Sequence, residues 1–163
     1  IHAIESNKNR AMLLKQNISR MFDSNIKVHI EDSTTYSSNV MYDKVIIDAP
    51  CSSTGTIRKN PDVKWITSET QIKKNTLLQT RLLKNISKIT KLNGKIIYST
   101  CSIESDENET VVENFLIDND DFILESVKNI VPQKFVDNNG FLKILPNKKG
   151  FEGMFAACIK RIK

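Results

Sequence analysis

Apolar runs and amphipathic stretches alternate along this chain. IHAI opens it as a short apolar run ended by Glu5. Ala11, Leu14, Ile18, Met21 and Phe22 then recur at spacings of three and four, which predicts a helix that buries that face. IKVHIED, over 26–32, reads as a strand ending in two acids, and 45–47 as a short apolar strand stopped by Asp48 and Pro50. Ile72, Leu78, Leu82, Ile86 and Ile89 line a long helix that Thr67 can cap, with Glu69 and Thr70 in its first turn and Asn93-Gly94 at its end. GKIIYST is another buried strand. A helix over 106–116 follows, with Ser105 as its cap and acids near its positive N-terminus. Strands over 121–127 and 154–159 complete the pattern, separated by turns rich in Asn, Gly, Pro and Lys.

Strands that alternate with helices predict an α/β doubly wound sheet, mostly parallel and covered on both faces. Ligands of such sheets sit beyond the carboxyl ends of the strands. Glu5, Asp32, the segment 48–51 and the segment 100–102 all fall there, so one sheet edge collects three acids and two thiols.

Length and charge narrow the class. At 163 residues the chain suits a single domain with a sizeable core, 1–163. Lys and Arg total 24 against 19 Asp and Glu, a net charge of +5 that suits a polyanionic partner. No apolar run reaches the roughly 18 residues of a membrane span, and the opening residues lack the order of a signal peptide, so no membrane role is expected. Cys51, Cys101 and Cys158 form an odd set without a CxxC pair. Neither a disulfide framework nor a metal site is indicated, and reduced thiols in an intracellular, reducing compartment are expected.

Each candidate residue has a chemical and a plainer structural use. Glu5 can accept bonds from the vicinal hydroxyls of a ribose, or stand as a solvent-exposed acid at a helix start. Asp32 can accept from the exocyclic amine of an adenine, or form a turn. In DAPC, Pro50 holds Ala49 extended, which fixes Asp48 and Cys51 in relation to each other above the sheet. Arg58, Lys59 and Lys64, with Trp65 alongside, can hold phosphates and place an aromatic ring near an unstacked base, or be solvated surface.

DAPCSSTGTIRKNPDVKW followed by YSTCSIESDENETVVENFL resembles the paired signature blocks of the Sun/Fmu type RNA cytosine-C5 methyltransferases. LPNKKGFEGMFAACIKR resembles that family's closing segment, and IHAIESNKNR its second strand and following helix. The resemblance implies a Rossmann-like, class I methyltransferase sheet with an antiparallel C-terminal strand. It implies S-adenosylmethionine as cofactor, held by Glu5, Arg10, Asp32, Asp48 and Pro50, and RNA, ribosomal before transfer RNA, as partner. Cys101 would be the nucleophile at cytosine C6, Cys51 would assist release, and Asp48 would share a proton at N3 in a dry cleft. A Pro-Cys motif in related DNA enzymes suggests the opposite assignment, with Cys51 as nucleophile. Arg58, Lys59 and Lys64 would contact RNA, whose target base must be unstacked.

Two departures stand out. Ser53 occupies a position where the family usually has Gly, and Met154 one where it commonly has Phe. The first strand and Gly-rich cofactor loop of the family are absent from the chain, so it is expected to be a partial catalytic domain with unpaired edges at IHAI and VIID. A catalytically silent RNA-binding or assembly module on the same fold is one alternative, and a different Rossmann enzyme, such as an amino methyltransferase or a thiol redox enzyme, is another.

Overall fold

The computed structural model describes residues 1–21, 25–147 and 150–163. They form two compact units, Ile1–Asn39 and Val40–Lys163.

In the first unit, strands β1 (His2–Ile4) and β2 (Lys27–His29) pair in parallel, with Ala3 opposite Val28. A parallel pair needs a crossover, and helix α1 (Lys8–Arg20) supplies it. Asn7 caps this helix by accepting the Asn9 and Arg10 amides at 2.9 and 3.1 Å. Ala11 is fully buried and Leu14 and Ile18 are half-buried, as their spacing predicts, whereas Met21 lies past the last turn and is exposed. Phe22, expected on the same face, lies outside the described residues. Strand β2 stops short of the expected 26–32. Its end is set by Asp32, whose Oδ1 accepts both the amide and the hydroxyl of Thr34 at 2.8 Å and so turns the chain.

The second unit contains β3 (Tyr42–Asp48), α2 (Val63–Ile66), α3 (Glu69–Ser87), β4 (Thr90–Thr100), α4 (Glu109–Asp118), β5 (Phe122–Glu125), β6 (Leu142–Ile144) and β7 (Met154–Arg161). The sheet order is β3-β4-β7-β5, and β6 also pairs with β7. β3 and β4 are parallel, while β7 runs antiparallel to β4, β5 and β6. The expected antiparallel C-terminal strand is thus the one that joins the sheet together. β5 pairs with the stretch from Cys158 to Arg161 and β6 with Met154 to Ala156, so the two short strands share one edge of β7. Ile96, Tyr98, Phe155 and Ile159 from the sheet, with Leu83, Val111, Val112 and Phe115 from α3 and α4, are the fully buried core.

Three local expectations are corrected. Asn93-Gly94 does not end the long helix, because α3 already stops at Ser87 and both residues lie in β4. Thr90 does the terminating: its hydroxyl donates to the Ile86 carbonyl at 3.0 Å, one of the acceptors that a glycine cap would otherwise serve. Asn93, at φ +62°, instead forms the bulge that shifts register between Tyr42 and Lys44. The cap of α3 is Ser68, whose hydroxyl accepts the Gln71 amide at 3.2 Å, rather than Thr67. Ser105 does not cap α4. It opens a 3-10 turn, Ser105–Glu107, and α4 begins at Glu109 without a side-chain cap because Glu107 is drawn inward.

Candidate active site

β3 and β4 run parallel with Asp48 opposite Ser99, so the chain leaves both strands at the same edge of the sheet. The Ala49 amide extends the ladder by donating to the Ser99 carbonyl at 2.9 Å. Immediately beyond, Cys51 and Cys101 meet with their sulfurs 3.4 Å apart, both as free thiols and both half-buried. The Cys101 thiol also donates to the Ser53 hydroxyl at 3.3 Å. Fifty positions of sequence separation close to one contact because two neighbouring parallel strands end in register.

Close backbone approach fixes these loops. The Gly55 amide donates to the Cys101 carbonyl at 2.9 Å, and the Gly153 amide donates to the Gly55 carbonyl at 2.8 Å. A Cβ on Gly55 would come within 2.7 Å of both the Cys101 oxygen and the Gly153 Cα, so only glycine fits. Beneath the loops lies Glu107, fully buried. Its Oε1 accepts the Ser52 amide at 2.8 Å and the Asn75 side-chain amide at 2.7 Å, and its Oε2 accepts the Ser52 hydroxyl at 2.5 Å. Ser102 and Thr54 continue the network at 3.1 and 3.2 Å, and the Gln79 side chain donates to the Pro50 carbonyl at 2.8 Å. A buried carboxylate is tolerated when its lone pairs are filled in this way.

Burial pushes the Cys51 thiol up to about 11, reinforced by the neighbouring Cys101 sulfur. Cys51 therefore keeps its proton at neutral pH. Asp48 is exposed at the end of β3, so the dry cleft expected around it is not formed by the described residues. Pro50 is exposed as well. Beside the cysteine loop, a pocket of about 370 Å³ is lined by Cys51, Ser53, Val63, Ile66, Gln71 and Asn75, among others. Trp65, next to it in sequence, is 80% exposed, with the Lys64 ammonium 5.3 Å from its ring centre.

The remaining predicted residues divide by location. Glu5, Arg10 and Asp32 belong to the first unit. Glu5 stands just past β1 and its Oε1 accepts from the Asn7 amide at 2.7 Å and from Arg10 at 2.9 Å. The Asn7 amide first, and then Arg10, hold its carboxyl below the usual range, so it is an ionised acceptor at neutral pH. Asp32 serves its turn. Arg58 is engaged within the protein, donating to the Gly150 carbonyl at 2.6 Å and to Glu152 at 3.0 Å, and Lys59 lies 4.0 Å from the same carboxylate. Lys64 is exposed. Among the described residues no group of three or more His, Cys, Asp or Glu is placed to hold a metal ion, and no helix is long and apolar enough to cross a membrane.

Comparison with known families identifies the chain: the family model described as 16S rRNA methyltransferase RsmB/F matches residues 1–160. The chain belongs to the RsmB/F family. Its S-adenosylmethionine-dependent methyltransferase fold is shared by solved structures. The crystal structure of PH0851 superposes with a TM-score of 0.90 at 31% identity, covering 99% of this chain and 37% of that one. NSun6 from Pyrococcus horikoshii, solved with SFG, superposes at 0.85 and 26% identity, covering 100% of this chain and 41% of its own. Among sequences, ribosomal RNA small subunit methyltransferase B of Pasteurella multocida is 34% identical over 125 residues, which are 77% of this chain and 27% of that protein. The RsmB/F chain described here thus spans about a quarter of that relative's length.

Sequence reading missed Asn75, Gln79, Glu107 and the Ser52, Thr54 and Ser102 hydroxyls. A trace of them is visible: Asn75 and Gln79 share the 4-3-4 spaced stripe with Leu82 and Ile86, so two amides occupy positions where a helix normally buries apolar side chains.

Proposed function

We propose that this chain carries the catalytic centre of an S-adenosylmethionine-dependent methyltransferase that modifies C5 of a cytosine in ribosomal RNA through a covalent cysteine adduct. The observation that carries the reading is the pair of free thiols 3.4 Å apart beyond two neighbouring parallel strands. Family membership and the relatives' names support ribosomal RNA as the substrate.

Cytosine C5 is too poor a nucleophile to take a methyl group unaided. Cys101, having lost its proton to solvent, adds through sulfur to C6; the ring's electron pair moves toward N3 and C5, and C5 becomes nucleophilic. Bound S-adenosylmethionine supplies an electrophilic methyl group. Asp48, exposed at the strand end, is the group proposed to share a proton at N3 as charge develops there. Glu5 fits a ribose, since an ionised carboxylate oriented by Arg10 and the Asn7 amide presents an acceptor just past β1. Asp32 is the acceptor proposed for the exocyclic amine of the adenine.

Release requires loss of the C5 proton, after which the C6–S bond breaks and Cys101 leaves as thiolate. Cys51 suits this second role. Burial, the larger cause of its raised thiol, remains when Cys101 is bonded to carbon, while the smaller contribution of the Cys101 sulfur falls away. Cys51 therefore gives its own proton to solvent as it takes the one from C5. Lys64 and Trp65, both exposed, offer a phosphate contact and a stacking surface to the unstacked strand.

Full-length protein incubated with labelled S-adenosylmethionine and unmodified 16S RNA should transfer label to one cytosine, mapped by bisulfite sequencing, and Cys101→Ala should abolish it. Label found on another base, or undiminished in Cys101→Ala, would refute the mechanism.

A further inference from the structure

Ser53 sits at φ +59° and ψ 21°, in the left-handed region that glycine adopts most readily. Its backbone work needs no side chain. The Ser53 carbonyl accepts the Thr56 amide at 2.8 Å and the Thr56 hydroxyl at 2.9 Å, bonds that a glycine would make equally well. The side chain must account for serine at a strained position, and its hydroxyl meets the Cys101 sulfur at 3.3 Å. The same half-buried residue lines the pocket beside Cys51.

We propose that the Ser53 hydroxyl is a catalytic hydrogen-bond donor to the Cys101 sulfur, stabilising the thiolate that attacks C6 and later departs from it. The assignment rests on Cys101 being the nucleophile. In the resting thiol the S–H donates to the Ser53 oxygen. Once that proton has gone to solvent the sulfur has nothing to donate, and the hydroxyl rotates to donate to it. A bond to a charged acceptor is stronger than one to a neutral acceptor, so the rotation favours the thiolate. Cys51, 3.4 Å away and protonated at neutral pH, supplies a second S–H toward the same sulfur. Two neutral donors therefore converge on Cys101. When the C6–S bond breaks, the electron pair returns to sulfur and meets the same donors.

The test compares Ser53→Gly and Ser53→Ala with wild type in the full-length protein. Both variants remove the hydroxyl, but Ser53→Gly also relieves the backbone, so a merely structural serine predicts that Ser53→Gly matches or improves on wild type. The rate of iodoacetamide alkylation is followed at each cysteine by mass spectrometry at about pH 7.5, alongside the rate of adduct formation with 5-azacytidine-containing RNA. Loss of one hydrogen bond to a charged sulfur should slow Cys101 in both assays by about tenfold in both variants, with Cys51 alkylation unchanged. Wild-type rates in Ser53→Gly would overturn the proposal. Slowed alkylation in a protein whose wild type forms no RNA adduct would overturn the catalytic part through the failure of Cys101 as nucleophile, leaving the hydrogen bond itself intact.

Discussion

Burial pushes the Cys51 thiol up to about 11, beside a Cys101 sulfur 3.4 Å away. A thiol that holds its proton is a poor first nucleophile and a sound partner for a later proton transfer. The same shift has a consequence for stability. Cys51 and Cys158 are both raised by burial from an ordinary 9.0 to about 11, so the folded state binds their protons more tightly than the unfolded chain does. Their contribution is complete below pH 9.0 and is lost as pH rises through about 11. Chemical denaturation at stepped pH should show stability falling across that window, and Cys51→Ala should flatten the fall. An unchanged slope in the variant would mean that Cys51 does not titrate as its burial requires.

At the scale of elements, the loop after β3, the helix α3 and the turn before α4 are held by a single carboxylate. Glu107→Ala leaves the Ser52 amide and the Asn75 side chain without their buried acceptor and should destabilise the fold by about 3 kcal/mol, measured by urea denaturation. Glu107→Gln keeps an oxygen for those donors and should lose about 1 kcal/mol. Equal losses would show that geometry is not what Glu107 provides. This clamp also marks the limit of what was legible in the sequence. Short β-rich runs and the spacing of Leu82 and Ile86 gave the strands and helices of the sheet, and the two Ser/Thr-flanked cysteines pointed to its active edge. The buried polar face did not follow, since Asn75, Gln79 and Glu107 become interpretable only when a partner from a distant loop is known. Asn93-Gly94 misled for a related reason: a turn dipeptide signals a change of direction but does not say whether a helix ends or a strand bulges. The 3-10 turn before α4 likewise depends on Glu107 finding Ser52, a contact across 55 positions.

The molecule as a whole presents two compact units, and the family model runs through both. Its charge of +5 is only partly available to a polyanion, because Arg58 and Lys59 face Glu152. Lys64 and Trp65 remain as the exposed cation and aromatic ring near the thiol pair in sequence. The central claim is that this surface delivers a cytosine to Cys101 and that the two cysteines act in sequence. Covalent trapping tests it most directly: full-length wild type, Cys101→Ala and Cys51→Ala are incubated with S-adenosylmethionine and RNA, and adducts that survive denaturation are counted. The account predicts no adduct in Cys101→Ala, with or without 5-azacytidine, and an adduct that accumulates on ordinary cytosine RNA in Cys51→Ala because the C5 proton has lost its acceptor. An adduct that persists in Cys101→Ala and disappears in Cys51→Ala would contradict the account and exchange the two roles.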